Sequence, residues 1–292
     1  MTLDGVQTGW HRTWRQVLWV AVIALIILAS VGPVIYGVLL SVRPLSAIVN
    51  EPLSIIPPPS QVDLSSYATA LGNEESGGFG LVSFMRNSVV VALLTVVLTT
   101  VFSVLGAYAA ARLNFFGKRS VNVLFISVYL FPGIVLAVPL FVLMSRIGLT
   151  GSLVGLLLIY VAQTTPVALY MLRNYFAAIS VSVEEAAMID GCGRLAIIWR
   201  IVLPLALPGI TATGLYVFMI AWNEYLFALL FLLDRRENWT VSLGLSQLSG
   251  TLEIPTTVLM AGSVILTLPI IVIFFASERL LTEGLTAGAE KG

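Results

Sequence analysis

The chain has 292 residues, of which 58% are hydrophobic and only 10% are charged, and its formal net charge is zero. Soluble domains carry about 25% charged residues, so this composition excludes an ordinary soluble protein and is typical of an integral membrane protein. The balanced charge gives no basic surface for nucleic acid. A single cysteine and a single histidine exclude an intrachain disulfide and leave no metal cluster or nucleophile–histidine pair to propose.

Six apolar stretches are long enough to cross a bilayer, which requires about 20 residues. The first stretch, 17–42, follows a polar tail at residues 1–16 and is too long to be the core of a cleaved signal peptide. Proline and glycine interrupt the third stretch at Pro132 and Gly133. The remaining predicted spans are 87–111, 120–145, 153–172, 209–233 and 255–275.

The polar segments between the spans predict an orientation. Residues 43–84 and 234–255 then form extracytoplasmic loops, and residues 174–208 form a cytoplasmic loop. The positive-inside rule supports this choice, because it places more lysine and arginine inside than outside. The predicted domain is therefore 17–281, with the tails 1–16 and 282–292 in the cytoplasm. The inside set is Arg12, Arg15, Arg112, Lys118, Arg119, Arg173, Arg194, Arg200, Arg279 and Lys291, and the outside set is Arg43, Arg86, Arg146, Arg235 and Arg236.

One acidic residue, Glu224, falls inside a predicted span. An ionisable group in a span is costly and usually faces protein or water. It either lines a path for a hydroxylated solute, or makes a helix–helix hydrogen bond or reaches the outer interface. Aromatic and polar groups together suit a sugar, although they also suit an interfacial belt. The candidate pathway residues are Asn87, Tyr160, Gln163, Trp222, Asn223 and Glu224.

The longest polar interruption in the second half of the chain is 183–208. Ser182 and Glu185 have capping-box spacing, which predicts the start of a helix of about eight residues. Gly191 and Gly193 are both able to end it. A second short apolar run follows from Arg194 to Leu203 and is broken by Pro204 and Pro208.

This loop resembles the cytoplasmic loop of ABC-importer permeases, whose motif is E-A-A, three residues, G, nine residues and I-x-L-P. The resemblance implies that the short helix docks in a cleft of a cytoplasmic ATPase, with Glu184 and Glu185 facing its basic groups. The alternative is an amphipathic loop in the membrane interface, and an Asp190–Arg194 pair is an equally simple role for those two residues. The implied coupling residues are Glu184, Glu185, Ala186, Ala187, Asp190, Gly191, Arg194, Ile201, Leu203 and Pro204.

Further marks resemble the carbohydrate branch of that family, and in particular the smaller permease subunit of maltose-type systems. These marks are Asn87-Ser88, Trp222-Asn223-Glu224 and the closing run 284–292. The resemblance implies an all-α, six-helix transmembrane domain of a type I ABC importer. It also implies three kinds of partner, namely a homologous permease, two ATPase subunits and an external solute-binding protein. Loop 234–255 either enters the cleft of the binding protein or is an inert connector, and its candidate residues are Gly244, Gln247 and Gly250.

The chain itself is not expected to be an enzyme or to bind a cofactor or metal. The run Gly117-Lys118-Arg119-Ser120 lacks the glycine spacing of a phosphate-binding loop, so ATP and Mg would belong to the partner ATPase. The prediction is a bacterial inner-membrane subunit that forms half of the path for a di- or oligosaccharide such as maltose or trehalose. The alternatives are a glycerol phosphodiester or polyol importer, or a secondary transporter with Glu224 as its ion site.

Overall fold

The computed structural model describes the backbone of residues 4–52, 54–250 and 254–289, and side chains from 14 to 279 except residues 53, 126, 129 and 251–253. All regular secondary structure in these ranges is helical, as the all-α prediction required. Part of the closing run, including Lys291, lies outside the described residues. The helices are α1 Asp4–Ser41, α2 Leu45–Asn50, α3 Ser65–Leu71, α4 Leu81–Arg112, α5 Lys118–Leu130, α6 Gly133–Arg146, α7 Leu153–Ala178, α8 Val181–Ile189, α9 Arg194–Ile197, α10 Leu203–Leu205, α11 Leu207–Asn223, α12 Leu226–Leu232, α13 Val241–Ser249 and α14 Thr256–Ala289.

Four helices of the described residues are long and apolar enough to cross a membrane, namely α1, α4, α7 and α14. A fifth candidate is the pair Arg194–Leu205 and Leu207–Asn223, whose two parts are bent by 75°. The predicted third span is divided into α5 and α6. The break falls at Pro132, because proline lacks an N–H and disfavours helical geometry at the residue before it. The predicted fifth span is likewise divided, between α11 and α12.

Several helices extend into segments that were predicted to be polar tails or loops. Helix α1 already begins at Asp4, and α14 continues to Ala289. An established helix gains one hydrogen bond for each further residue, so polar residues extend it at little cost. The two predicted external loops also contain helices, α2 and α3 in the first and α13 in the second.

One compact unit comprises the chain up to residue 79 together with the start of α14 up to Ile265. Its loop is organised by Arg43, which is only 2% exposed. The guanidinium donates to the backbone carbonyls of Ser54, Ala47 and Glu51. These bonds fold the chain after α1 back around a single side chain.

The second unit comprises residues 80–250 and the remainder of α14. It contains two hydrophobic clusters. The α8 cluster joins the ends of α4 and α7 to α8 and to the residues that follow it; its members are Val104, Ala107, Tyr108, Leu172, Phe176, Ala187, Ile197, Ile198, Val202 and Ala206. The Trp222 cluster joins other parts of α4 and α7 to α11, α12 and α13; its members include Phe84, Val91, Leu156, Tyr160, Phe218, Trp222, Phe227, Phe231, Trp239 and Leu243.

Candidate functional site

The predicted docking helix exists as α8, with nine residues, but it does not begin as predicted. Its N-cap is Ser180, whose side chain accepts no hydrogen bond from the helix. The hydroxyls of Ser180 and Ser182 instead bond each other at 2.7 Å. The capping-box prediction from Ser182 and Glu185 is therefore wrong, because the N-cap is Ser180, two residues earlier, which places Ser182 within the helix.

The end of α8 follows the prediction for one of the two glycines. Gly191 has a φ of +85°, in the left-handed region. The N–H of Gly191 donates to the carbonyl of Met188, and the N–H of Cys192 donates to that of Ala187. This double pattern is the Schellman motif, which satisfies carbonyls at a helix end. Gly193 has an ordinary φ of −71° and serves as the N-cap of α9.

Glu184 was expected to face an ATPase, and the structure places it inside this chain instead. Its side chain is only 6% exposed, and its Oε1 lies 2.6 Å from Nε of Arg112. Its Oε2 accepts a hydrogen bond of 2.9 Å from the hydroxyl of Tyr108. Arg112 also donates through Nη2 to the carbonyl of Ile179, the residue that follows α7, at 2.8 Å. We call Tyr108, Arg112 and Glu184 the α8 clamp, since they fasten α8 to the ends of α4 and α7.

The two sides of α8 differ sharply. Ala187 is buried in the α8 cluster, where its small side chain allows the helix to approach closely. Glu185, Ala186, Met188 and Ile189 are exposed, and Ile189 is 87% exposed. One side of the helix is thus fixed to this chain, and the other side is an uncovered apolar and acidic surface.

The remaining motif residues lie beyond the glycine turn. Ile201 and Leu203 are half-buried against the α8 cluster, and Pro204 is exposed in the short helix α10. Asp190 and Arg194 are both exposed, and no ion pair joins them in the described part of the chain. The residues Ile198–Val202 form a π-helical turn. Such turns are rare in proteins, and those that occur are often found at functional sites.

The half-buried side chain of Glu224 forms a hydrogen-bond cap at the start of α12. Its carboxylate accepts hydrogen bonds from the N–H groups of Phe227, at 2.8 Å, and Ala228, at 3.2 Å. These are two of the first N–H groups of α12, which lack partners within that helix. The hydroxyl of Tyr160 donates to the same carboxylate at 2.7 Å. The hydrogen-bonding interpretation of Glu224 therefore accounts for both of its oxygens.

The other candidate pathway residues divide into two groups. Asn87, Tyr160 and Trp222 are buried within this chain. The Asn87 amide donates to the carbonyls of Glu237 and Trp239 at 2.9 and 3.0 Å, and the Trp222 indole donates to that of Leu266 at 3.1 Å. These three side chains hold helices together in this conformation and do not present a surface. Gln163 and Asn223 are exposed, as a pathway residue would be.

Gln163 belongs to an open groove of about 460 Å³. The groove lies at the break between α5 and α6, beside Pro132 and Gly133. Its wall is largely apolar, with a small number of polar groups, which is the usual composition of a small-molecule site. The side chains around it include Phe131, Gln163, Thr164, Tyr216, Ile220 and Phe227.

The predicted binding-protein residues fall on α13 and directly after it. Gly244 is buried, and a Cβ at this position would come within 2.3 Å of the Phe84 ring. The absence of a side chain at Gly244 therefore allows α13 to pack closely on α4. The face of α13 that carries Gly244 is covered by α4 and is not available to a binding protein. Gln247 is half-buried, and Gly250 is exposed.

Sequence reasoning missed Tyr108 and Arg112 as functional candidates. Arg112 entered only the count of positive charges, although it is the one charged residue in the last turn of α4. A lone arginine at the end of an apolar span was a usable signal, because such a group needs a partner. Its partner Glu184 lies 72 residues further along the chain, so no local spacing pointed to the pair.

Four helices of the described residues are long and apolar enough to cross a membrane, and the short helix α8 is exposed at the ends of α4 and α7. These features indicate a polytopic membrane protein with a surface for a further subunit. Residues 102–286 match the family described as binding-protein-dependent transport system inner membrane component. The chain belongs to this family.

Curated relatives and a solved structure agree with this assignment. The chain is 42% identical to the inner membrane ABC transporter permease protein YcjP of Escherichia coli, over 73% of this chain and 76% of that protein. It is 32% identical to the trehalose transport system permease protein SugB of Mycobacterium tuberculosis, over 95% of this chain and 98% of that protein. It is 37% identical to the trehalose/maltose transport system permease protein MalG of Thermococcus litoralis, over 72% of this chain and 76% of that protein.

The fold is similar to a chain in the crystal structure of a bacterial ABC transporter involved in the import of the acidic polysaccharide alginate. The TM-score is 0.77 at 23% identity, and the match covers 91% of this chain and 96% of that chain. At this identity the likeness concerns the fold alone. It accords with the prediction of a type I importer transmembrane domain.

Proposed function

We propose that this chain forms half of the translocation path of an ATP-driven importer for a di- or oligosaccharide. It would pair with a homologous permease, and two ATPase subunits would supply the energy. A solute-binding protein would deliver the sugar from outside. Both termini and α8 would lie in the cytoplasm, as the distribution of lysine and arginine favours.

The observation that carries the proposal is the two-sided geometry of α8. The α8 clamp and Ala187 fix one side of the helix to the spans. The opposite side exposes Glu185, Met188 and Ile189, a combination of apolar and acidic groups that suits a protein partner with basic residues around an apolar cleft. A force applied to the exposed side would reach the ends of α4 and α7 through the clamp.

This geometry supports coupling to a separate ATPase. Binding of ATP by the partner subunits would draw them together and move α8. The spans would follow as a rigid body from an inward-open to an outward-open state. Such a transition requires that ATP bind the two states with different affinity. The sequence offers no phosphate-binding loop of its own.

The sugar assignment is supported by the relatives and by the groove beside Pro132. Two of the relatives are named for transport of trehalose or of trehalose and maltose. In the groove, the aromatic side chains of Phe131, Tyr216 and Phe227 lie near the Gln163 amide. Aromatic rings that contact the faces of a sugar, with an amide for its hydroxyls, would let it pass without tight binding. Gln163 and Asn223 are the proposed path-lining residues.

The test is purification of the complete complex from gently solubilised membranes, followed by an ATPase assay with maltose or trehalose. We expect an ATPase and a second permease to co-purify, and one sugar with its binding protein to stimulate hydrolysis. Recovery of the chain alone, with uptake that collapses with the ion gradient, would overturn the proposal.

Charge reversal on the exposed side of α8 provides a second test. Glu185→Lys should abolish uptake of the radiolabelled sugar and lower the amount of co-purified ATPase, while the chain still inserts into the membrane. Glu75→Lys, at an exposed residue of the external segment, is the matched control. Equal uptake for both variants would contradict docking through α8.

A further inference from the structure

The segment Arg194–Leu205, which we call the interfacial segment, comprises α9, the π-helical turn and α10. It directly precedes α11 and is bent from it by 75°. If α11 runs across the bilayer, the interfacial segment runs close to the membrane plane. In the predicted topology, this is where the chain enters the membrane after α8.

The interfacial segment is amphipathic, and its inner side is covered by this chain. Ile197, Ile198 and Val202 are buried in the α8 cluster. Leu195 and Trp199, on the outer side, are 70% and 67% exposed. Residues four apart in a helix lie on the same face, so these two side chains form one apolar ridge. A large indole left in water is unfavourable, whereas tryptophan is enriched where membrane meets water.

Charge on the segment completes the pattern. Arg194 and Arg200 are exposed and immediately flank Leu195 and Trp199 in the sequence. One basic group therefore stands at each end of the apolar ridge along the chain. The segment between 194 and 205 has no acidic residue. A helix with apolar and aromatic residues between basic ones binds in the plane of a bilayer surface, where the basic groups meet anionic headgroups.

We propose that the interfacial segment is a lipid-binding element, with Leu195 and Trp199 inserted into the bilayer and Arg194 and Arg200 bound to the headgroups of anionic phospholipids. It thereby fixes the height at which the α8 cluster sits against the membrane surface. The proposal requires only that α11 spans the bilayer, and it is independent of the sugar and of ATP coupling.

Spin-label accessibility tests the depth of the ridge in the complete complex, reconstituted in phosphatidylcholine and phosphatidylglycerol. Cys192→Ser provides the background after its uptake has been checked, and a nitroxide is attached at Leu195→Cys or Trp199→Cys. We expect collisions with oxygen to exceed those with a water-soluble nickel chelate, at a depth of about 5–10 Å. Val97→Cys, exposed on α4, provides a reference within a span. Ile189→Cys, exposed on α8, provides a reference outside the spans.

Two results would overturn the insertion. A label at both 195 and 199 that meets the nickel chelate more often than oxygen would place the ridge in water. A label that meets neither reagent would show that a protein subunit covers it. The use of two labelled positions guards against a local disturbance by either substitution.

Lipid preference tests the headgroup part of the proposal. Spin-labelled phosphatidylglycerol and phosphatidylcholine are compared for association with the complex, using Arg194→Gln, Arg200→Gln and the double variant. Each removal should lower the preference for phosphatidylglycerol by up to about fivefold. Arg119→Gln, at an exposed arginine of α5, controls for a general charge effect. An unchanged preference in the double variant, or an equal loss in the control, would overturn the assignment of these two arginines.

Discussion

The α8 cluster and the Trp222 cluster each adjoin one carboxylate that the sequence predicts to be functional. The two carboxylates differ in the groups that bind their oxygens. In the α8 cluster, Glu184 is paired with a full opposite charge on Arg112. In the Trp222 cluster, Glu224 accepts hydrogen bonds from Tyr160 and from two backbone N–H groups of α12. The pair of Glu184 with Arg112 joins α8 to α4 and to the end of α7. The cap formed by Glu224 satisfies the start of α12 and joins it to α7 through Tyr160. In both places the carboxylate is bound by groups of this chain, so neither needs a partner subunit or a solute to satisfy it.

The largest expected effect comes from breaking the charge pair. Glu184→Ala leaves the Arg112 guanidinium buried without its counter-charge, and loss of one partner of a buried pair costs about 3–5 kcal/mol. The thermal unfolding midpoint of the detergent-purified complex should fall markedly, together with sugar uptake. Glu75→Ala is the control, because this exposed residue lies away from α8, and it should leave the midpoint unchanged.

The double variant Arg112→Met and Glu184→Leu separates the stability of the pair from its role in transport. Two apolar side chains of similar volume often replace a buried ion pair at little cost, so the midpoint should recover in part. Uptake should remain low if the clamp transmits motion. A midpoint that shifts equally for Glu184→Ala and Glu75→Ala would contradict a stabilising role of the Glu184–Arg112 pair.

A second effect tests packing in the Trp222 cluster. Gly244→Ala introduces a methyl group within 2.3 Å of the Phe84 ring, and such overpacking costs about 1–3 kcal/mol. Gly250→Ala is the matched control, since the nearest atom lies at 3.5 Å. We expect a lower thermal unfolding midpoint for Gly244→Ala than for Gly250→Ala. Equal midpoints would show that the Phe84 ring moves aside at no cost.

A third effect tests the turn after α8. Gly191→Ala forces a side chain into a left-handed backbone, which costs about 1–2 kcal/mol. Gly193 has an ordinary φ and no atom within 4 Å of an added carbon, so Gly193→Ala costs only the poorer N-cap of the short helix α9. We expect Gly191→Ala to lower the midpoint and the uptake more than Gly193→Ala does. Similar behaviour of both variants would argue that the turn adapts.

The smallest expected effect belongs to Glu224→Gln. The amide offers one acceptor oxygen where the carboxylate offered two, so at least one of the N–H groups of Phe227 and Ala228 loses its acceptor, which costs about 1 kcal/mol. The midpoint should fall slightly and uptake only in proportion. Asn223→Ala, at the exposed neighbour, serves as the comparison. Uptake that collapses in Glu224→Gln at an unchanged midpoint would restore Glu224 to the transport path.

Local signals in the sequence predicted local structure well. The glycine at 191 ends α8, and the proline at 132 divides the third span, because each acts on backbone within a few residues. Long-range contacts decided the rest. The partner of Glu184 lies 72 residues away, and those of Asn87 lie 150 and 152 residues away. The sequence therefore singled out Glu184 and Asn87 as polar residues in an apolar chain, but it did not predict which groups their side chains contact.

The divided third span has a consequence for how the protein is made. Helices α5 and α6 have 13 and 14 residues, so each is about 20 Å long at 1.5 Å per residue. The hydrocarbon core is about 30 Å thick, so neither helix crosses it alone. The backbone at Pro132 also needs protein around it, because lipid satisfies no polar group. Since α5 packs on α7, we expect this stretch of a nascent chain to settle in the bilayer only after the ribosome has delivered α7.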